Sequence, residues 1–144
     1  MQVQEIMTQN PSCASPDAPL SQVAQLMKDN DTGIIPICGE ENALLGVITD
    51  RDIVVRGIAE GCTPDDPVDE IMTSEGLACC SPSDDLDEAA RLMAGRQVKR
   101  ICVTEGNTLV GILSLGDLAV TDEDEAEEAL EGISHGAKAE HRAP

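Results

Sequence analysis

Residues 46–53, Gly-Val-Ile-Thr-Asp-Arg-Asp-Ile, return 65 positions later as residues 111–118, Gly-Ile-Leu-Ser-Leu-Gly-Asp-Leu. Each is an apolar run ending in a hydroxyl, Thr49 or Ser114, with an acid three positions on, Asp52 or Asp117. An apolar run closed by a helix-start signal predicts strand, tight turn and helix. Free backbone N–H groups at a helix start suit an anion such as phosphate. The acid can accept hydrogen bonds from the paired hydroxyls of a sugar. Both segments also read as capping boxes, in which the hydroxyl caps the helix and the acid reaches back. The hydroxyl can serve both roles at once.

Outward from these segments the chain repeats in register, which decides the architecture. Val3–Thr8 (VQEIMT) matches Val68–Thr73 (VDEIMT), each a short helical turn. Brief strands follow around Ser12–Ser15 and Leu77–Ser81. Leu20, Val23, Ala24 and Met27 then recur at helical spacing, as do Leu86, Ala89, Ala90 and Met93, each set predicting one apolar stripe. Strands are expected at Gly33-Ile-Ile-Pro-Ile-Cys and Arg100-Ile-Cys-Val, turns at Gly39-Glu-Glu-Asn and Glu105-Gly-Asn, and strands again at Leu44–Ile48 and Leu109–Leu113. The expected division is 1–61 for the first repeat, 62–67 for a linker, 68–120 for the second repeat and 121–144 for an acidic helix and tail. Each half is too small to bury its sheet alone, so the halves are expected to pack together and form two related clefts.

The chain has 144 residues and a formal charge of −19. A nucleic-acid binder needs a basic footprint, so that partner is excluded from the expectation. There is no Phe, Tyr or Trp, so any purine has to lie between aliphatic side chains. No apolar run is long enough to cross a bilayer, and the first residues lack a signal-peptide pattern. The expected setting is soluble and cytoplasmic. Six cysteines without Cys-x-x-Cys, and with both histidines (His135, His141) in the tail, predict small core hydrophobes and no metal site. Adjacent Cys79 and Cys80 face opposite sides of a strand and are the candidates for thiol redox chemistry. No histidine precedes His135, so no Ser–His–Asp or Cys–His arrangement is available and no enzyme is expected.

The Glu-Ile-Met-Thr openings, the strands Ile-Ile-Pro-Ile and Lys-Arg-Ile-Cys-Val, and the two Gly-x-x-[Thr/Ser]-x-x-Asp endings together resemble a tandem pair of CBS domains, a Bateman module. The resemblance covers about residues 1–120. It implies an α+β fold of two pseudo-symmetric repeats, each a short β-sheet packed with helices, usually paired as a homodimer. It implies a regulatory module that requires no cofactor and binds an adenosine-containing ligand: AMP, ADP, ATP or S-adenosylmethionine. Carried over by position, Asp52 and Asp117 hold ribose, with Thr49 and Ser114 beside them. Lys99 and Arg100 match the basic residues that meet phosphate. The aligned Gly33 and Ile34 bring no charge, and Arg51 is the candidate cation of the first repeat. The second-repeat strand departs from the family in having Cys102 where a proline is usual. The other reading is a stress-associated interaction protein with an unidentified protein partner and no bound nucleotide.

Overall fold

The computed structural model describes residues 1–121. The acidic helix and tail expected beyond Thr121 lie outside the described residues, as do both histidines. The described chain forms two compact units, one made of residues 11–77 with 107–109, the other of residues 1–10, 78–106 and the chain from Val110 onward. The division in space therefore differs from the repeat counted along the sequence. Each opening turn joins the unit built from the other half of the chain.

In the unit of residues 11–77, helix α1 (Leu20–Asn30) follows Pro19 and closes on Asp31 in the left-handed region (φ 48°), whose N–H donates to the carbonyls of Lys28 and Met27. Its buried residues are Leu20, Val23 and Met27. Ala24, expected on the same stripe, is exposed, and Leu26 packs against the core instead. Strand β2 (Ile34–Cys38) pairs antiparallel with β3 (Leu44–Thr49). The expected hairpin forms, with Ile35 opposite Ile48. Ala14 bridges Ile37 in parallel and Thr73 bridges Val47 antiparallel, so the two strands are flanked on both sides. The core is Ala14, Ala18, Leu20, Val23, Met27, Ile35, Ile37, Ile48, Val68 and Ile71.

The other unit carries the same plan. Its sheet has the order β1 (Thr8–Gln9), β6 (Thr108–Ser114), β5 (Arg100–Glu105), β4 (Cys79–Cys80). Here Thr8 pairs with Ile112 and Cys80 with Val103, the counterparts of Thr73 with Val47 and Ala14 with Ile37. Helix α3 (Leu86–Arg96) buries Leu86, Ala89, Ala90 and Met93, the full expected stripe, and closes on Gln97 (φ 56°). Val3 joins these residues, with Ile101, Val103, Leu113 and Leu118, in the core. The closing helix α4 spans Leu115–Thr121.

After β3 the chain does not continue as a regular helix. Helix α2 is a single α-turn (Asp50–Asp52) that widens to π geometry over Ile53–Gly57 and tightens to a 3-10 turn over Ile58–Glu60. Gly57 is buried, and a β-carbon there would lie 3.2 Å from Ile71 Cδ1, so the widened turn approaches the core where no side chain fits comfortably. No helix of the described residues is long and apolar enough to cross a membrane.

Candidate functional site

The two hydroxyl–acid pairs are built alike. Thr49 Oγ1 accepts a hydrogen bond from Asp52 N at 3.1 Å, and Asp52 Oδ2 accepts one from Thr49 N at 3.0 Å. In the other unit Ser114 Oγ accepts from Asp117 N at 3.1 Å, and Asp117 Oδ2 accepts from Ser114 N at 2.9 Å. Both are reciprocal capping boxes, which satisfy helix-start donors and fix the carboxylate on the backbone. Both acids remain partly exposed. A fixed, solvent-reachable carboxylate is a pre-organised acceptor for donors such as a ribose diol.

The next residue along ties each box to the neighbouring strand. Asp50 N donates to Gly33 O at 2.9 Å, and Leu115 N donates to Lys99 O at 2.8 Å. Gly33 and Lys99 are thus structural counterparts, as are Ile34 and Arg100. Lys99 and Arg100 stand at the start of β5, where the backbone of Lys99 meets that of Leu115, the residue after Ser114. Lys99 is exposed and Arg100 half-buried.

Arg51, the cation expected in the first repeat, is exposed, and its backbone N–H donates to Asp50 Oδ1 at 2.8 Å. The base that meets Asp52 is Arg56. Its Nη1 lies 3.9 Å from Asp52 Oδ1 and donates to Thr73 Oγ1 at 3.3 Å. The Asp52 side chain is 19% exposed and that of Arg56 49%, so the pair adds little stability. Its consequence is positional, because it draws a guanidinium to the carboxylate. The i, i+4 spacing of an acid and a base on a helix was the sequence signal for this contact. Thr73 comes from the opening turn that joins this unit. Nothing local in sequence connects it to Asp52.

No disulfide joins any of the six cysteines. Cys38, Cys80 and Cys102 are buried. Burial pushes the Cys80 thiol up to about 12, helped by Asp84 and Cys79. Burial, with the adjoining Cys13, takes Cys38 to about 12 as well. Cys79 is raised by burial against the opposing effect of Arg96. The thiolate is the reactive form, so Cys79 and Cys80 are slow nucleophiles at neutral pH, which weakens the redox reading. Among the described residues, Cys62, Asp66 and Glu70 form one set of metal-ligating type, with donor atoms within 4.8 Å of one another. Glu70 is exposed and Asp66 Oδ2 accepts from Thr63 N at 2.7 Å. Burial and the carboxylates of Asp66, Glu70 and Glu60 raise the Cys62 thiol.

The buried thiols give an alkaline limit to stability. An unfolded thiol loses its proton near 9, whereas Cys38 and Cys80 hold theirs to about 12. Between those values the unfolded chain binds fewer protons, so stability falls as pH rises. The slope is about 1.4 kcal/mol per pH unit for each group. Urea midpoints are expected to fall from pH 9 upward, and the Cys38→Ala, Cys80→Ala double variant to fall less steeply. Equal slopes would show that other groups govern the alkaline limit.

A family model for the CBS domain matches residues 3–57 and again residues 68–124. The CBS domain-containing protein YhcV of Bacillus subtilis is 40% identical over 135 residues, 92% of this chain and 95% of that protein. Hypoxic response protein 1 of Mycobacterium tuberculosis is 32% identical over 115 residues, 80% of either chain. A crystal structure of Hypoxic Response Protein I with two coordinated zinc ions matches with a TM-score of 0.77 at 31% identity, covering 84% of this chain and 98% of that one. The crystal structure of CBSX2 in complex with AMP shares the fold, with a TM-score of 0.74 at 22% identity over 85% of this chain and 96% of that one. With each half of the sequence matched in turn and each unit built on the same strand plan, the chain is a tandem pair of CBS domains and belongs to that family.

Proposed function

We propose that this protein is a non-enzymatic sensor that holds an adenosine-containing ligand, of the class of AMP, ADP, ATP or S-adenosylmethionine, at Asp52 and at Asp117. The observation that carries this reading is the repetition, in both units, of a carboxylate locked by its own capping box beside the start of a central strand. The fold supports the reading, since CBSX2 holds AMP on it. In this reading the carboxylates accept the ribose hydroxyls, Thr49 and Ser114 lie beside them, and Lys99 and Arg100 supply positive charge at the Asp117 site. The chain works in the cytoplasm as a homodimer, with a separate protein reading its state. Signalling requires that the ligand bind one conformation more tightly than another.

Calorimetry with adenosine and AMP tests the assignment. A hydrogen bond to a charged group contributes ~1.5–3 kcal/mol, so Asp52→Ala and Asp117→Ala should each weaken one site at least tenfold. In the wild type, ligand at a hundred times its dissociation constant should raise unfolding free energy by about 2.7 kcal/mol. Unchanged binding in the double variant would remove both acids from the site. No thermal shift with any adenosine compound would favour an interaction protein whose sites stay empty.

A further inference from the structure

We propose that the two sites choose adenosine ligands by different charge. The site at Asp117 takes an adenosine with a 5′-phosphate, and the site at Asp52 takes an adenosine whose 5′ substituent is neutral or cationic. This rests on the ribose assignment above and adds the ligand class for each site.

The two units place different charges at one equivalent position. The hydrogen bonds Asp50 N to Gly33 O and Leu115 N to Lys99 O set the correspondence. At the start of β5 stand two bases, Lys99 and Arg100, and the residue across the hydrogen bond is the apolar Leu115. At the start of β2 the corresponding residues are Gly33 and Ile34, and the residue across is Asp50. The Asp50 carboxylate folds over Gly33. A β-carbon at Gly33 would lie 3.0 Å from Asp50 Oδ2 and 3.2 Å from Cγ. A lysine there, as in the other unit, would have to displace that carboxylate. Where one unit presents two cations beside its box, the other presents an anion.

Arg56 does not reverse this contrast. Its guanidinium is engaged by Asp52 and Thr73, on the helix side of the box rather than at the strand start. Charges a few ångströms apart in a partly desolvated site interact strongly enough to dominate a choice between ligands that differ only in charge. A phosphate beside Asp50 meets repulsion, and selectivity between related ligands is commonly built from such a repulsive element. A phosphate beside Lys99 and Arg100 gains two partners.

Single-site variants separate the preferences. Asp52→Ala leaves the Asp117 site, and calorimetry at pH 7.5 should show AMP bound at least tenfold more tightly than adenosine. Asp117→Ala leaves the Asp52 site, where adenosine should bind at least as tightly as AMP. Adding Asp50→Asn to Asp117→Ala should shift the ratio about threefold or more toward AMP. Adding Lys99→Gln and Arg100→Gln to Asp52→Ala should abolish the AMP preference. Should either alanine variant fail to fold by circular dichroism, Asp52→Asn and Asp117→Asn keep the cap and serve instead. Equal AMP-to-adenosine ratios in the two single-site variants, or an AMP preference at the Asp52 site, would overturn the proposal while leaving the ribose assignment standing. Loss of adenosine binding from the wild type would sink both.

Discussion

Valine at Gly46 or at Gly111 is expected to lower the unfolding free energy by about 2–3 kcal/mol, the usual cost of forcing methyl groups into packed space. A β-carbon at Gly46 would sit 2.7 Å from the carbonyl oxygen of Thr73 and 3.0 Å from Met72 Sδ. At Gly111 it would meet Met7 Sδ at 2.6 Å and the carbonyl oxygen of Thr8 at 2.9 Å. In each case a methionine side chain can shift but the carbonyl cannot swing aside, because Val47 and Thr73 exchange two hydrogen bonds at 2.9 Å and Thr8 pairs with Ile112. Two effects oppose the crowding. Valine favours strands by up to ~1 kcal/mol, and losing a glycine stabilises by ~0.4–1 kcal/mol through the unfolded chain. Neither offsets a side chain pressed onto a carbonyl. Gly95, in α3 with nothing within 4 Å of its β-carbon position, is the control. Gly95→Ala should raise stability by about 0.5–1 kcal/mol. Urea unfolding decides the matter, and unchanged midpoints for Gly46→Val and Gly111→Val would show that the flanking strand yields.

These glycines mark the boundary of what the sequence discloses. The hydroxyl–acid boxes were legible because both partners lie three residues apart, and so was the β2–β3 hairpin, closed by its own turn. The α3 stripe appears as read. The glycine that opens each Gly-x-x-[Thr/Ser]-x-x-Asp segment has its reason in Thr73 or Thr8, which come from elsewhere in the chain. Arg56 lies four residues from Asp52, a spacing the sequence carries, but its other partner, Thr73, is 17 residues away and is brought beside it only by the fold. Asp50 was visible as an acid at a helix start, a commonplace role. Only the fold shows it lying over Gly33, where the other unit carries a lysine. In each case the missing fact is a contact set by the opening turns or by strand register rather than by local spacing.

Removal of residues 1–9 is expected to abolish protection of the unit that begins at Ala78, rather than of the residues that follow directly in sequence. VQEIMT and VDEIMT are nearly the same string, so no pattern of residues says which half either one joins. The structure assigns Val3, 0% exposed, to the core containing Leu86, Met93, Ile101 and Leu113. Val3 N donates to Asp84 O and Gln4 N to Pro82 O, both at 2.9 Å, while Leu86 N donates to Met1 O at 3.1 Å. Ile6 and Met7 pack on the same core, and β1 covers the edge of β6. Burying one valine is worth ~1.5–3 kcal/mol, and two partly buried side chains and a stripped strand edge bring the loss to about 4–6 kcal/mol on the same scale. That approaches the ~5–15 kcal/mol by which a whole domain is stable. The core of residues 11–77 draws its members from that stretch alone, with Val68 in the place of Val3. Hydrogen exchange read by mass spectrometry should therefore find the amides of 86–93, 100–106 and 110–114 deprotected in the truncated chain while those of 20–30 and 34–38 stay slow. A peptide of residues 1–10 added back should restore the former. The opposite pattern, with 20–38 exchanging fast, would mean that the opening turn packs with the half it precedes, and both the glycine clashes and the partners of Arg56 would then need a different account.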